Sequence, residues 1–145
     1  MGHNNAIRND DGIIETKLWE VTKDASGNDR IIGGVKVISN PTAKRENDLP
    51  IESNTAEAYF KADVNGDLLQ LRVYDKVTHK AVMDIDIGSE HGKDFPIGLA
   101  HVQEFYTGKN GKPKRRKDAR LMTEAEIDKW GYLIKLANPN VRFKP

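Results

Sequence analysis

Residues 56–87, AEAYFKADVNGDLLQLRVYDKVTHKAVMDIDI, decide the fold. They contain three runs rich in aliphatic, aromatic and β-branched residues, which are typical of strands. Asn65-Gly66 separates the first two runs and favours a two-residue type I′ turn, because both central residues of that turn take positive φ. A turn through residues 76–79 separates the second run from the third. The stretch therefore predicts three consecutive antiparallel strands.

The third run, residues 81–87, has the two-residue period of a strand. Met83, Ile85 and Ile87 fall on one face, and Asp84 and Asp86 fall on the other. Two such carboxylates can hold a divalent metal ion, since hard cations take carboxylate oxygens, and they would then serve a hydrolytic nuclease. They can also position a histidine or an arginine, or lie on a solvated face. The sequence leaves these interpretations open.

Upstream of this stretch, two β-rich segments at residues 13–21 and 31–39 flank the turn cluster KDASGNDR and predict a loose hairpin. Gly33 and Gly34, inside the second segment, suggest a bulge or a close backbone approach. A polar loop is predicted at residues 40–50.

Downstream, residues 88–97 predict a loop, 99–106 a strand and 107–120 a basic loop. The helix predicted over residues 123–137 begins with a capping box formed by Thr123 and Glu126. Its core-facing stripe follows at helical spacing and consists of Ile127, Trp130, Leu133, Ile134 and Ala137. The whole pattern predicts an α+β domain, an antiparallel β-meander of five or six strands with one C-terminal helix packed on it.

Length and composition exclude several classes of protein. The 145 residues suit one domain, which we predict at residues 13–145 after a disordered leader at 1–12. The chain has no cysteine, which removes disulfides, thiolate nucleophiles and cysteine-based zinc sites. No apolar run approaches the roughly 20 residues of a membrane span. Phosphate-binding and dinucleotide-binding glycine motifs and a serine nucleophile elbow are also missing from the sequence.

Charge is concentrated in residues 107–120, although the net charge of the chain is only +1. Seven basic residues against one acid give this segment +6, so the rest of the chain carries −5. A basic patch of this kind indicates binding to nucleic acid or to an acidic protein, and the alternative is a solvated loop. The predicted nucleic-acid-binding residues are Lys109, Lys112, Lys114, Arg115, Lys117 and Arg120, with Tyr106 able to stack a base.

Two histidines lie near this segment. His101 is on a predicted strand, with Gln103 and Phe105 on its face and Glu104 on the opposite face. His91 is in the glycine-containing loop SEHGKD. If they converge, they can divide the base and acid roles of metal-independent RNA cleavage, with an arginine or lysine stabilising the phosphorane. Each also has a plainer interpretation, as a half-buried histidine bonded to the backbone or as an exposed loop residue.

The order of these features resembles the C-terminal toxin domains of bacterial polymorphic toxins, of the contact-dependent and Rhs types, which are also found fused to phage head proteins. The shared pattern is an Asp-x-Asp strand, a His-Gly loop, Phe-Pro, and a histidine strand with an acid and an aromatic. The matching residues are Asp84, Asp86, His91, Gly92, Phe95, Pro96, His101, Glu104 and Phe105. Two positions differ: residues 97–100 separate Pro96 from His101, and Gln103 stands where a second histidine is expected.

The resemblance implies a nuclease toxin, most often a ribonuclease, with a cognate immunity protein. It implies delivery from the producing cell or phage particle into the bacterial cytoplasm, where the toxin acts on RNA. The residues to which we assign catalysis are His101, His91, Glu104 and Arg116, with no cofactor. Two alternatives stay open. One is a non-catalytic module that binds nucleic acid or an acidic partner, and the other is a metal-dependent nuclease that uses Asp84 and Asp86.

Overall fold

The structure is a computed structural model, and it describes residues 20–39, 57–63 and 65–145. The leader predicted at residues 1–12 and the polar loop predicted at residues 40–50 lie outside this part of the chain. Within the described ranges, no helix has both the length and the apolar character needed to cross a membrane.

The described residues form nine strands and one helix. These are β1 (Glu20–Val21), β2 (Ile31–Ile32), β3 (Val35–Ser39), β4 (Ala58–Ala62), β5 (Leu68–Tyr74), β6 (Ala81–Asp86), β7 (His101–Thr107), β8 (Pro113–Arg115), β9 (Arg120–Leu121) and α1 (Glu124–Ala137). The strands join in one sheet of order β1-β3-β4-β5-β6-β7-β8, in which β2 pairs with β3 and β9 pairs with β7. All neighbours are antiparallel except β3 and β4, which are parallel.

This architecture confirms the predicted α+β fold, with β4 to β7 as the predicted meander and α1 as its C-terminal helix. The strand predicted from residue 99 begins at His101, and the segment predicted as a basic loop contains the short strands β8 and β9. Polar and charged residues dominate that segment, so its strands carry no apolar alternation by which the sequence could reveal them.

The second predicted strand is interrupted at Gly33 and Gly34. They form a two-residue turn between β2 and β3, with φ of 55° and 86°, and Ile32 pairs with Val35 across it. A Cβ on Gly33 would lie 2.6 Å from the Cδ1 of Leu133 on α1. The close approach suggested by the glycines is therefore confirmed, and the positive φ values explain why the chain turns here.

The type I′ turn predicted at Asn65-Gly66 is wrong. Gly66 has a φ of 88°, but its N–H donates to the Asp63 carbonyl at 3.0 Å and the Asp63 N–H donates to the Asp67 carbonyl at 2.9 Å, so the hydrogen bonds do not close a two-residue turn at Asn65-Gly66. The Asp63 carboxylate accepts hydrogen bonds from the backbone N–H groups of Asn65 and Asp67, at 2.9 and 3.0 Å. This side-chain cap stabilises a wider loop, in which Gly66 has a left-handed conformation.

Helix α1 packs on one face of the sheet and closes the main core. The Thr123 hydroxyl accepts from the Glu126 N–H, and the Glu126 carboxylate accepts from the Thr123 N–H, which confirms the capping box. Trp130, Leu133 and Ile134 are buried, and Ile127 packs against them. On the sheet, the core residues include Val37, Phe60, Leu71, Val73, Ile85, Ile87 and Val102. The predicted core-facing stripe of the helix is confirmed.

Candidate active site: a buried polar face of the sheet

The face of the sheet turned away from the helix core is polar where β5, β6 and β7 meet. Six polar side chains are buried there: Gln70, Arg72, Asp84, Asp86, His101 and Gln103. Strand register sets them in two cross-strand rows. Gln70 pairs with Asp86 and Asp86 with His101, while Arg72 pairs with Asp84 and Asp84 with Gln103. The two-residue period of three adjacent strands therefore creates one polar layer, which we call the polar face.

Asp84 is the centre of one row and is completely buried. Arg72 donates to both of its oxygens, from Nε to Oδ1 at 2.6 Å and from Nη2 to Oδ2 at 2.8 Å. Arg115 of β8 donates from Nη1 to Oδ2 at 2.8 Å. The Arg72 guanidinium lies over the Phe105 ring, 4.8 Å from its centroid. The carboxylate thus accepts three charge-assisted hydrogen bonds, and the one from Arg115 ties the basic β8 strand to the interior of the sheet.

Asp86 is the centre of the other row. Its Oδ1 accepts a hydrogen bond from the Gln70 amide at 2.7 Å, and its Oδ2 lies 3.4 Å from the Nε2 of His101. Burial opposes ionisation of this carboxyl, but the contacts with His101 and Gln70 outweigh burial and lower the pKa of Asp86. Burial also opposes protonation of His101, yet the Asp86 carboxylate and the Leu99 carbonyl raise the pKa of the imidazole. An ion pair between the two is therefore favoured.

His101 faces acceptors with both ring nitrogens. Its Nδ1 is 2.8 Å from the Leu99 carbonyl oxygen, and its Nε2 points to Asp86. The side chain is completely buried, and the Asp86 carboxylate at 3.4 Å from Nε2 forms a longer contact than the bond at Nδ1. The interpretation as a histidine bonded to the backbone therefore describes its geometry, and a substrate proton is not within its reach.

His91 and His101 do converge, as the two-histidine hypothesis requires. Their ring centroids are 6.2 Å apart, and Phe95 completes a three-ring cluster at 5.3 Å from His101 and 6.4 Å from His91. The His91 N–H donates to the Phe95 carbonyl at 2.8 Å, which closes the loop. His91 is only partly buried. Of the two histidines, His91 is the one that solvent reaches.

The basic segment folds back on β7 as a hairpin. β8 pairs with residues 105–107 of β7, and β9 pairs with residues 101–102. The Gln103 amide fills the gap between them by donating to the carbonyl oxygens of Arg116 and Lys117, at 3.0 and 3.2 Å. Gln103 therefore holds the backbone at Arg116 and Lys117. It occupies the position at which the resemblance leads one to expect a histidine.

The basic residues of this segment, which are six predicted nucleic-acid-binding residues and Arg116, separate into three groups. Five are exposed: Lys109, Lys112, Lys114, Arg116 and Lys117. Arg115 turns inward to Asp84, with its side chain one-third exposed. Arg120 forms ion pairs with Glu104 and Glu126, at 2.7 and 2.8 Å. The exposed group, together with Tyr106, forms the surface that we call the hairpin surface.

The four residues predicted to act in catalysis do not share one place. His91 and His101 meet at the polar face. Glu104 lies three residues after His101 on β7 and therefore on the opposite face of the sheet, where it pairs with Arg120. Arg116 lies over the Tyr106 ring, with its Cζ 5.1 Å from the centroid. The geometry brings the histidines together with Asp86 and sets Glu104 and Arg116 apart from them.

The Asp-x-Asp pair occupies its oxygens with protein partners. Asp84 binds two arginines, and Asp86 binds Gln70 and faces His101. In the described part of the chain, no three His, Asp or Glu side chains are grouped so that they could hold a metal ion. Of the three interpretations of the pair, positioning of an arginine and a histidine matches these contacts, and the solvated face is excluded by burial.

Gln70 and Arg72 were not among the predicted site residues. Both were visible as polar residues at alternate positions in the strand LLQLRVY, next to a strand with two alternate aspartates. In an antiparallel pair such residues face one another, so the placement of Arg72 opposite Asp84 was the feature of the sequence that could have predicted their contact.

Comparisons with known proteins add no relative to this geometry: no family model matches the chain, and no curated protein or solved structure matches it significantly.

Proposed function

We propose that this chain is a nuclease toxin domain that cleaves RNA by metal-independent acid–base chemistry at the polar face. The observation that carries the proposal is the burial of six polar side chains on one face of three adjacent strands. Fold stability alone does not call for this layer. Replacing buried ion pairs by apolar residues of similar volume is often neutral or stabilising. Buried charges with shifted pKa values that lie side by side are typical of functional sites.

His91 is the residue to which we assign proton transfer. It contacts His101 and Phe95 and is reached by solvent, whereas His101 faces Asp86 and Leu99. His91 would take the proton of the 2′-hydroxyl as that oxygen bonds to phosphorus. The imidazolium so formed would return the proton to the 5′-oxygen as the phosphorus–oxygen bond breaks, leaving a cyclic phosphate and a 5′-hydroxyl. A histidine suits both roles, because its charge changes between about pH 5 and 8.

Two further groups would support this step. Arg115 carries the positive charge on the polar face that is partly exposed, and it would stabilise the phosphorane. Asp86 and His101 act as positioning residues, since the buried pair holds the ring against which His91 and Phe95 pack. This assignment moves the proton-transfer role from His101 to His91, because the ring nitrogens of His101 point inward.

The wider biology follows from the resemblance to polymorphic toxins. A toxin of this type would be delivered into a bacterial cytoplasm and neutralised in its producer by an immunity protein. The hairpin surface gives such a partner a positive target, since five of its residues are exposed Lys or Arg. An acidic immunity protein that covers it would compete with RNA for the same charges.

The test is cleavage of total bacterial RNA by the purified protein, with and without EDTA. General acid–base catalysis contributes about 10²–10⁴-fold, so His91→Asn should reduce cleavage by that order while RNA binding persists. The matched control is His79→Asn. His79 is exposed in the turn between β5 and β6, and it has a φ of 65°, which asparagine tolerates. Full activity of His91→Asn would contradict the proposed role.

The hairpin surface also supports a second candidate function, a non-catalytic module that binds nucleic acid. Its exposed lysines and Tyr106 need no reactive group to hold a polyanion. RNA binding without cleavage, at every pH between 5 and 9 and with or without divalent metal, would favour this candidate. Cleavage that EDTA abolishes and that persists in His91→Asn would instead favour metal chemistry at Asp84 and Asp86.

A further inference from the structure

We infer that the hairpin surface contains a subsite for an unpaired base, so that the RNA it holds is single-stranded. The inference deepens the proposed function and rests on it, because it names the form of RNA that the same protein takes. Its elements are one aromatic ring, one arginine stacked on that ring and three lysines around a groove: Tyr106, Arg116, Lys109, Lys112 and Lys114.

The groove is built by the turn between β7 and β8. The Gly108 N–H donates to the Lys112 carbonyl at 2.8 Å, and the Asn110 side chain accepts from the Lys112 N–H at 3.0 Å. These bonds fix the backbone from which the lysines project. The groove is open to solvent and has a volume of about 840 Å³, within the range of ordinary ligand sites. Its walls are lined by residues 106–110 and 112–114.

Tyr106 and Lys114 face each other across the hairpin as a paired position. Tyr106 is 39% exposed, and the Arg116 guanidinium lies 5.1 Å from its ring centroid. Aromatic rings and arginine planes are the surfaces on which proteins stack nucleic-acid bases. The lysines nearby are placed to contact the phosphates on either side of a stacked base.

This combination favours a single strand over a duplex. In a duplex each base is already stacked on both faces, and an aromatic side chain reaches it only after it is unpaired. Lysines alone would bind either form, since phosphate contacts carry no such discrimination. The exposed ring is therefore what selects the unpaired form.

The subsite also suits the position of the proposed cleavage site. β8 is the last strand in the sheet order, and its consecutive residues Lys114 and Arg115 point to opposite faces. Lys114 lines the groove, while Arg115 reaches Asp84 on the polar face. A flexible single strand can bend around this edge and contact both residues, whereas a stiff duplex cannot.

The experiment is fluorescence anisotropy with a short labelled oligonucleotide of 2′-O-methyl RNA, which lacks the 2′-hydroxyl that cleavage requires. Binding of the oligonucleotide is measured as a single strand and as a duplex with its complement, at several salt concentrations. The single strand should bind at least tenfold more tightly than the duplex. Tyr106→Leu should weaken single-strand binding by about tenfold, as loss of one stacked base does, while Tyr106→Phe keeps it.

The matched control is Tyr132→Leu, the same replacement at a tyrosine that is 76% exposed on α1. It should bind the single strand as the parent does. Equal affinity for duplex and single strand, or unchanged binding by Tyr106→Leu, would overturn the subsite while leaving RNA cleavage intact. Tight, Tyr106-dependent binding of the single strand without cleavage of natural RNA would support the subsite and refute the nuclease. Binding of neither form would refute the subsite, and the nuclease would then be judged by cleavage of natural RNA alone.

Discussion

Replacing Asp84 by asparagine should destabilise the fold strongly, although the two side chains have nearly the same shape. The Asp84 carboxylate is completely buried and receives two hydrogen bonds from Arg72 and one from Arg115, at 2.6 to 2.8 Å. Asparagine has no charge, and its amide nitrogen would replace one of the two acceptors. Arg72, with a side-chain exposure of 2%, would keep its charge in the interior without its compensating carboxylate.

The magnitude follows from that geometry. Breaking a buried ion pair by removing one partner costs about 3–5 kcal/mol, because the other charge stays desolvated. For a domain of ordinary stability, about 5–15 kcal/mol, this is a large part of the total. Replacing the fully buried pair, as Arg72→Met with Asp84→Leu, should instead restore most of the stability, since apolar residues fill the same space and the one-third exposed Arg115 can turn its charge to solvent.

Urea denaturation at neutral pH measures both variants, and Asp128→Asn is the matched control. Asp128 is exposed on α1, so the same chemical change there should alter the free energy of unfolding by less than about 0.5 kcal/mol. An Asp84→Asn midpoint equal to that of the control would refute the reasoning. The double variant also separates roles: if it is folded but inactive on RNA, the polar face serves function and not stability.

Two other predictions concern stability. The pKa of His101 is raised above its ordinary value of 6.5 and that of Asp86 is lowered below 3.8. Their ion pair should thus stabilise the fold most between about pH 4 and 6.5, and this stabilisation should be lost as pH rises through the folded pKa of His101 or falls through that of Asp86. Thermal melts at a series of pH values should show both losses of stability, and His101→Gln should remove the loss at alkaline pH. A Cβ on Gly88 would lie 2.5 Å from the Leu68 carbonyl oxygen, whereas one on Gly108 would meet its nearest atom at 3.3 Å, and neither glycine has a left-handed φ. Gly88→Ala should therefore lower the free energy of unfolding, measured by urea denaturation, by about 1–3 kcal/mol and by more than Gly108→Ala does. Equal midpoints for the two variants would contradict the close contact at Gly88.

The elements that sequence predicted well are those with a strong local signal. The helix was marked by its capping box and by the spacing of Trp130, Leu133 and Ile134, and strands β5 and β6 were marked by their apolar runs. The interruption at Gly33 and Gly34 was seen only as a bulge or close approach, because two glycines allow several backbone paths. Register and the packing of α1 select one of them.

The candidate site was predicted in part. The sequence identified Asp84, Asp86, His91 and His101 and the face that each strand presents. It could not tell that the polar face is buried, because alternating polar residues look the same on a solvated face and on an internal one. The inward direction of both nitrogens of His101 depends on the Leu99 carbonyl and on Asp86, and such tertiary contacts leave no local pattern.

The position of β8 has a consequence for self-association. An outermost strand exposes backbone groups that can recruit the strand of another molecule, and proteins block this with proline and with charge. β8 begins with Pro113, which has no N–H, and continues with Lys114, whose exposed charge repels a second copy of the same edge. The protection depends on the charge of Lys114 staying uncompensated. A polyanion or an acidic protein that neutralises Lys114 would remove this protection. Complexes with such a partner should therefore be more prone than the isolated chain to pair with one another through β8.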